Sequence, residues 1–272
     1  MSDVDEKLIA IVGPTAVGKT AVGIELARSI GGEVISADSM QVYRGMDIGT
    51  EKPSPEERKG VPHHMIDVVD PRDPFSVALY QRLAREAIAD IQKRDRWPIL
   101  VGGTGLYVRA VIDPLEFPAG DHASEVRKRL RQRAEEEGGR ALYEDLKRLD
   151  PEAARSIHPQ NTRRVIRALE VIGLTGRPFS EFQGGWKVRK SIYQLRMFGL
   201  AMERSKLYAR IDSRVNKQIE KGLLDEVRSL VFAGYEEFLT AKQALGYKEL
   251  IEHINGICDL DEAVERLKRR TR

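Results

Sequence analysis

A single cysteine, Cys258, stands in a chain of 272 residues. One thiol closes no intramolecular disulfide and builds no cysteine metal cage, so an apolar core must hold the fold, and a reducing cytosol is the expected setting. No apolar run approaches the roughly 20 residues of a membrane-spanning helix, so no membrane partner is expected. There is no internal repeat and no low-complexity tract. The first residues, Met1 to Lys7, are polar and acidic, unlike a signal peptide. Excess charge of one sign is also missing: the net charge is only +3, so any affinity for nucleic acid must come from local clustering. What is present is enough for one large domain or two modest ones: 41% apolar residues for a core and 32% charged residues for an ionic surface.

The chain opens with Gly13-Pro14-Thr15-Ala16-Val17-Gly18-Lys19-Thr20, which matches G-x-x-x-x-G-K-[ST] at every fixed position. The apolar run Leu8–Val12 precedes it and a helical pattern from about 18 to 30 follows. Strand, glycine-rich turn and helix start form the setting in which backbone N–H groups cradle phosphate oxygens. Lys19 adds a point charge, and the Thr20 hydroxyl is the expected Mg²⁺ ligand.

Glu33–Ala37 reads as a second strand ending at Asp38, and Ser39 to about Asp73 as a long polar loop. A helix is expected over 75–94, a strand over 98–101, and then Gly102-Gly103-Thr104-Gly105 opening another helix. This alternation predicts an α/β fold, a parallel sheet flanked by helices. The rhythm breaks at Asp113. From there to about Lys190 only helical patterns appear, including Asp150-Pro151 as a helix start and Asn161–Ile172 as a helix stopped near Gly173 and Gly176. A strand-like run at 192–201 and long helices at 206–232 and after 260 close the chain. The expected division is a phosphate-loop core, 1–113 with 191–272, interrupted by an all-helical insert, 114–190.

Asp38, just past a strand's C-terminal end, lies at the sheet edge where ligands bind in such folds, and a carboxylate there can hold Mg²⁺ or accept a proton. Thr104, in a glycine turn at the same edge, supplies a small hydroxyl. Arg163, Arg164 and Arg167 share a helix whose other side carries Val165, Leu169 and Ile172. Arg210, Arg214, Lys217 and Lys221 form a second stripe, beside Leu207, Ile211, Val215 and Ile219. With Lys268-Arg269-Arg270 these stripes favour a polyanion partner. The adjacent His63 and His64, and Trp97 and Trp186, read as structural residues. On these features three readings stay open: a small-molecule or nucleotide kinase with the insert as a lid, a nucleotide-driven switch, or a transferase whose loop holds a diphosphate leaving group. The switch is weakest, because no [NT]-K-x-D motif occurs.

Taken together, G-P-T-A-V-G-K-T, D-S-M-Q-V-Y-R-G-M-D-I-G-T, V-P-H-H-M-I-D, G-G-T-G-L-Y and R-A-L-E-V, in that order, resemble the tRNA dimethylallyltransferase family over nearly the whole chain from Leu8. The resemblance implies transfer of a dimethylallyl group from dimethylallyl diphosphate to N6 of adenosine 37 beside the tRNA anticodon. It also implies Mg²⁺ and a channel through the core. In that reaction the loop residues 13–20, Lys19 above all, neutralise the leaving diphosphate, Asp38 accepts the N6 proton, and Thr104 orients the reacting groups. Ser39, Met40 and Gln41 accompany Asp38 at the flipped base. Arg127 and the segment Gln160-Asn161-Thr162-Arg163-Arg164 match tRNA-contacting positions, which makes the insert an anticodon-arm clamp. A cytoplasmic monomer is expected. Gln160-Asn161 replaces the Asn-Asp of many relatives, and Glu51 stands where a small residue is usual. Relatives continue past Thr271-Arg272 with a basic, aromatic tail, without which weaker tRNA binding and an intact diphosphate site are expected.

Overall fold

The structure is a computed structural model and describes residues 7–118, 124–184, 190–235, 238, 241 and 244–272. The chain divides into two compact units: Met1–Ile112 with Ser191–Arg272, and Asp113–Lys190.

In the first unit, strands β1 (Lys7–Val12), β2 (Gly32–Ala37), β3 (His63–His64), β4 (Trp97–Gly102) and β5 (Gln194–Gly199) form a parallel sheet in the order β3-β2-β4-β1-β5. The apolar runs are continuous because both sheet faces are covered. Successive residues go to opposite faces. Leu8, Ala10, Ile35, Ala37 and Leu100 join the larger core, with Tyr80, Ala84, Ile88 and Ile91 of α2 (Val77–Lys93). Ile9, Ile11, Val34, Ile99 and Val101 pack instead on Ile24 and Ala27 of α1 (Lys19–Ile30). The spacing of the α2 residues is the apolar stripe of a surface helix, and the Ser76 side chain caps its start by accepting from Leu79 N. Helix α3 (Gly105–Ile112) follows β4.

The topology decides where the site lies. Val12 of β1 and Ala37 of β2 both pair with Gly102 of β4, which runs between them. Three neighbouring strands therefore end level, and the loops after them emerge side by side at one edge.

The second unit packs α4 (Glu125–Glu136), α5 (Gly139–Leu149), α6 (Pro151–Ser156) and α7 (Thr162–Thr175) around Leu142, Leu146, Ile157, Val165 and Leu169. Asp150 starts α6 by accepting from Ala153 N, with Pro151 at the first helical position where its missing N–H costs nothing. Asn161 caps α7 by accepting from Arg164 N. Glu170 is fully buried and receives Arg127 Nη2, Arg167 Nη1 and Ser124 Oγ, each at 2.6 Å. Removing one partner from such a buried cluster costs about 3–5 kcal/mol.

Helices α8 (Arg204–Glu220), α9 (Leu223–Phe232), α10 (Tyr247–Ile254) and α11 (Leu260–Thr271) pack Val215, Val227, Tyr247, Leu250 and Leu267 onto the larger core. The expected single helix over 206–232 is two, broken at Gly222, whose φ of +96° suits a residue without Cβ. Helix α7 runs through Gly173 and ends at Gly176, where φ is +68°. Strand β3 lies inside the stretch read as loop, and α10 carried no expectation. Trp97 opens β4 with Lys7 Nζ over its ring; Trp186 lies outside the described residues. His63 Nδ1 donates to the Val61 carbonyl and His64 Nε2 to Glu33, so the two rings serve different partners.

Candidate active site

The three level strand ends enclose a cavity of about 810 Å³. It is lined by the phosphate loop and the start of α1, by Ser36, Asp38 and Gln41 after or within β2, by Gly102, Gly103 and Thr104 after β4, by Thr50 and Glu51, and by Arg210, Ser213, Arg214 and Lys217 of α8. Every element therefore comes from the first unit.

The loop backbone takes left-handed φ at Ala16 (+64°) and Gly18 (+102°), which turns successive N–H groups inward before α1 begins. Lys19 Nζ donates to the Pro14 carbonyl at 2.7 Å, folding the side chain back over the loop. Burial pulls the Lys19 ammonium below its ordinary pKa, Asp38 opposes this, Arg214 adds to it and Glu51 opposes it. A cation that is desolvated and has a second cation, Arg214, beside it is a site prepared for an anion.

At the centre, Gly102 allows a close approach: a Cβ there would stand 2.2 Å from the Ala37 carbonyl oxygen. Thr104 N donates to that carbonyl at 3.2 Å, and Ser39 N donates to Thr104 Oγ1 at 3.2 Å. The Thr104 hydroxyl thus ties the Asp38 turn to the glycine turn and keeps its own proton for a donor bond. Asp38 Oδ1 accepts from Met40 N at 2.9 Å, an Asx turn that fixes the carboxylate. Asp38 also borders a second cavity of about 270 Å³, with Ser39, Met40, Val215, Leu223 and Leu245.

Gln41 is buried and its amide is engaged: Oε1 accepts from Ser36 Oγ, and Nε2 donates to the Thr50 and Glu51 carbonyls. Its role in the structure is to join the Asp38 turn to the loop 46–51. That loop is gripped from the other side by α8 and α9. Glu226 Oε2 accepts from Asp47 N and Ile48 N, both at 2.8 Å, and Oε1 accepts from Gly49 N and Tyr247 Oη. Gln218 Nε2 donates to the Ile48 and Gly49 carbonyls.

Two family models match: "IPP transferase" over residues 41–272 and "Isopentenyl transferase" over residues 6–68. The chain belongs to the IPP transferase family. It is 54% identical over 267 residues to a tRNA dimethylallyltransferase of Geobacillus thermodenitrificans, covering 98% of this chain and 84% of that one. A counterpart from Carboxydothermus hydrogenoformans is 52% identical, covering 98% and 86%. Among solved structures, the tRNA isopentenylpyrophosphate transferase of Bacillus halodurans is 50% identical with a TM-score of 0.69, covering 98% of this chain and 83% of that one. A eukaryotic dimethylallyltransferase acting on tRNA is 31% identical with a TM-score of 0.84, covering 97% and 67%.

Within this IPP transferase chain, the structure brings Lys19, Thr20, Asp38 and Thr104 to one cavity. Gln160, Asn161, Arg163 and Arg164 are exposed at the start of α7, with Thr162 half-buried. Arg127, which the resemblance matches to a tRNA-contacting position, is buried and paired with Glu170. The stripe Arg210-Arg214-Lys217, read from sequence as a polyanion face, lines the phosphate-loop cavity, while Ile211 and Val215 face the core as their spacing demands. Its periodicity identified a basic face and left the ligand open. Glu226 and Gln218 escaped sequence reading altogether, because their partners lie about 170 to 180 residues upstream.

Among the described residues, no helix is long and apolar enough to cross a membrane.

Proposed function

We propose that this chain transfers the dimethylallyl group of dimethylallyl diphosphate to N6 of adenosine 37 in tRNA. One observation carries it: a phosphate loop, a desolvated lysine, a hydroxyl and a fixed carboxylate converge on one cavity at the edge where three strands end. The loop N–H groups, Lys19 and the arginines of α8 hold the diphosphate and balance the charge that grows on it as the C1–O bond breaks. An allylic carbon tolerates the positive charge left behind. The adenine amine forms the new C–N bond, and Asp38 takes the N6 proton, so inorganic pyrophosphate and prenylated RNA are the products. The Thr104 hydroxyl, fixed by Ser39 N, orients the reacting groups.

The residues fit Mg²⁺ as a partner of the diphosphate. Among the described residues no cluster of three His, Cys, Asp or Glu side chains could hold a metal. The Thr20 hydroxyl and the diphosphate oxygens would be its ligands, hard donors suited to a hard cation, and the bound ion would supply further neutralisation of the leaving group.

The target base must leave the anticodon stack, which costs a few kcal/mol. Ser39 and Met40, beside Asp38, meet it, and Gln41 holds their turn in place. Residues 160–164 open α7 with exposed arginines and helix N–H groups, a natural phosphate contact for the anticodon arm. Arg127 contributes by fixing α4 against α7. As the finer part of this proposal the enzyme is read as a cytoplasmic monomer.

The test is Asp38→Ala in single-turnover transfer. Folding and diphosphate binding persist and the rate falls about 10³-fold or more; a near-native rate removes Asp38 as the base.

A further inference from the structure

We propose that Glu51 is a resident counter-anion of Arg214 that the diphosphate displaces, and that it thereby promotes release of inorganic pyrophosphate, resting on the diphosphate reading above. Arg214 Nη1 lies 3.0 Å from Glu51 Oε2. The arginine side chain is only 19% exposed while the glutamate is half-exposed. A largely buried guanidinium needs a counter-charge in every state of the enzyme. Glu51 can supply it between turnovers, and the diphosphate brings more negative charge to the same group when it arrives.

The position of the carboxylate separates competition from orientation. A carboxylate that merely orients an arginine stands behind it, away from the ligand. Glu51 and Arg214 instead both line the phosphate-loop cavity, with Lys19 and Lys217. Bound diphosphate and the Glu51 carboxylate would therefore face each other as like charges across the same cations.

The backbone is built to keep the carboxylate there. Glu51 has φ of +53°, a left-handed conformation that a residue with a Cβ adopts at a cost and that persists where its surroundings enforce it. Its N–H donates to the Ile48 carbonyl, and its carbonyl accepts from the buried Gln41. The preceding residues are clamped by Glu226 and Gln218. Glu51 cannot withdraw by moving its main chain, so the side chain alone yields when the diphosphate enters and returns when pyrophosphate leaves.

The experiment is calorimetric titration of inorganic pyrophosphate with Mg²⁺ into the wild type, Glu51→Gln, Glu51→Ala and Lys19→Ala. Both Glu51 variants are expected to bind about tenfold more tightly, as removal of one nearby like charge implies. Their steady-state turnover should fall further than their single-turnover rate, because product release becomes limiting. Unchanged or weaker pyrophosphate binding in both Glu51 variants overturns the inference, weaker binding marking Glu51 as an orienting or metal-ligating group. Lys19→Ala separates this failure from a deeper one. If Lys19→Ala loses pyrophosphate and the Glu51 variants gain nothing, only the displacement idea falls. If Lys19→Ala binds as the wild type does, the diphosphate reading falls with it.

Discussion

The two ends of the central sheet treat charge in opposite ways. At the end where β2, β3 and β4 begin, Glu33 is buried yet surrounded by donors: Arg94 holds both of its oxygens, His64 Nε2 donates at 2.7 Å, and the guanidinium of Arg96 lies 3.6 Å away. Arg94's hydrogen bonds, and then those of His64, hold the Glu33 carboxyl down at about 2 against the opposing effect of burial. At the end where the strands finish, Lys19 is pulled below its ordinary pKa because burial outweighs its anionic neighbours. One end has satisfied its charge within the chain. The other has gathered cations that gain most when an anion from outside arrives. The first arrangement stabilises a fold; the second binds and polarises a substrate.

That contrast can be broken by exchanging the consequences. Lys19→Ala should weaken dimethylallyl diphosphate binding about 100-fold, with little change in thermal unfolding, because the residue belongs to the cavity. Equilibrium binding and a melting curve, run together, check it; a large loss of stability with unchanged affinity would reverse the assignment.

Glu33→Gln should do the opposite, lowering stability by about 3 kcal/mol while sparing transfer at temperatures far below unfolding. The pH dependence carries a sign. Glu33 has a folded-state pKa of about 2 against an ordinary 4.5, so its stabilisation is complete above 4.5 and is lost as pH falls from 4.5 toward 2. Denaturant unfolding across that interval should show an acid limb in the wild type that flattens in Glu33→Gln.

The smallest effect is expected outside the sheet altogether. Substituting Arg163 and Arg164 together with Gln should weaken tRNA binding several-fold and reduce the log–log salt slope by about 1.5, leaving diphosphate affinity as it was. Fluorescence titration at several salt concentrations reads the slope; an unaltered slope returns these arginines to an ordinary solvated helix face.

What the sequence made legible followed from how local each signal is. The phosphate loop, the strand before it and the helix after it occupy 24 consecutive residues, from Lys7 to Ile30, and their pattern is self-contained. Asp38 and Thr104 were readable because a parallel sheet sends all its C-terminal ends to one edge. The two-residue β3 was not, since only pairing with Val34 and Ile35 makes His63 and His64 a strand. The break at Gly222 was hidden because apolar spacing continues through it. The α8 stripe was legible as a basic face, but not as part of the phosphate-loop cavity lining, because helical period shows which side chains share a face and nothing of what that face meets. The burial of Arg127 was not legible for a related reason, because its partner Glu170 is 43 positions away. The grip of Glu226 on residues 47–49 depends wholly on tertiary packing.

The most direct measurement supplies the protein with dimethylallyl diphosphate labelled in its prenyl carbons and an anticodon stem-loop, then digests the RNA and locates the label, with a parallel reaction containing γ-labelled ATP. The account predicts label on N6 of adenosine 37, one pyrophosphate released per prenyl group, and no phosphoryl transfer. RNA free of the prenyl label, together with transfer of the ATP γ-phosphate to an acceptor, would contradict it.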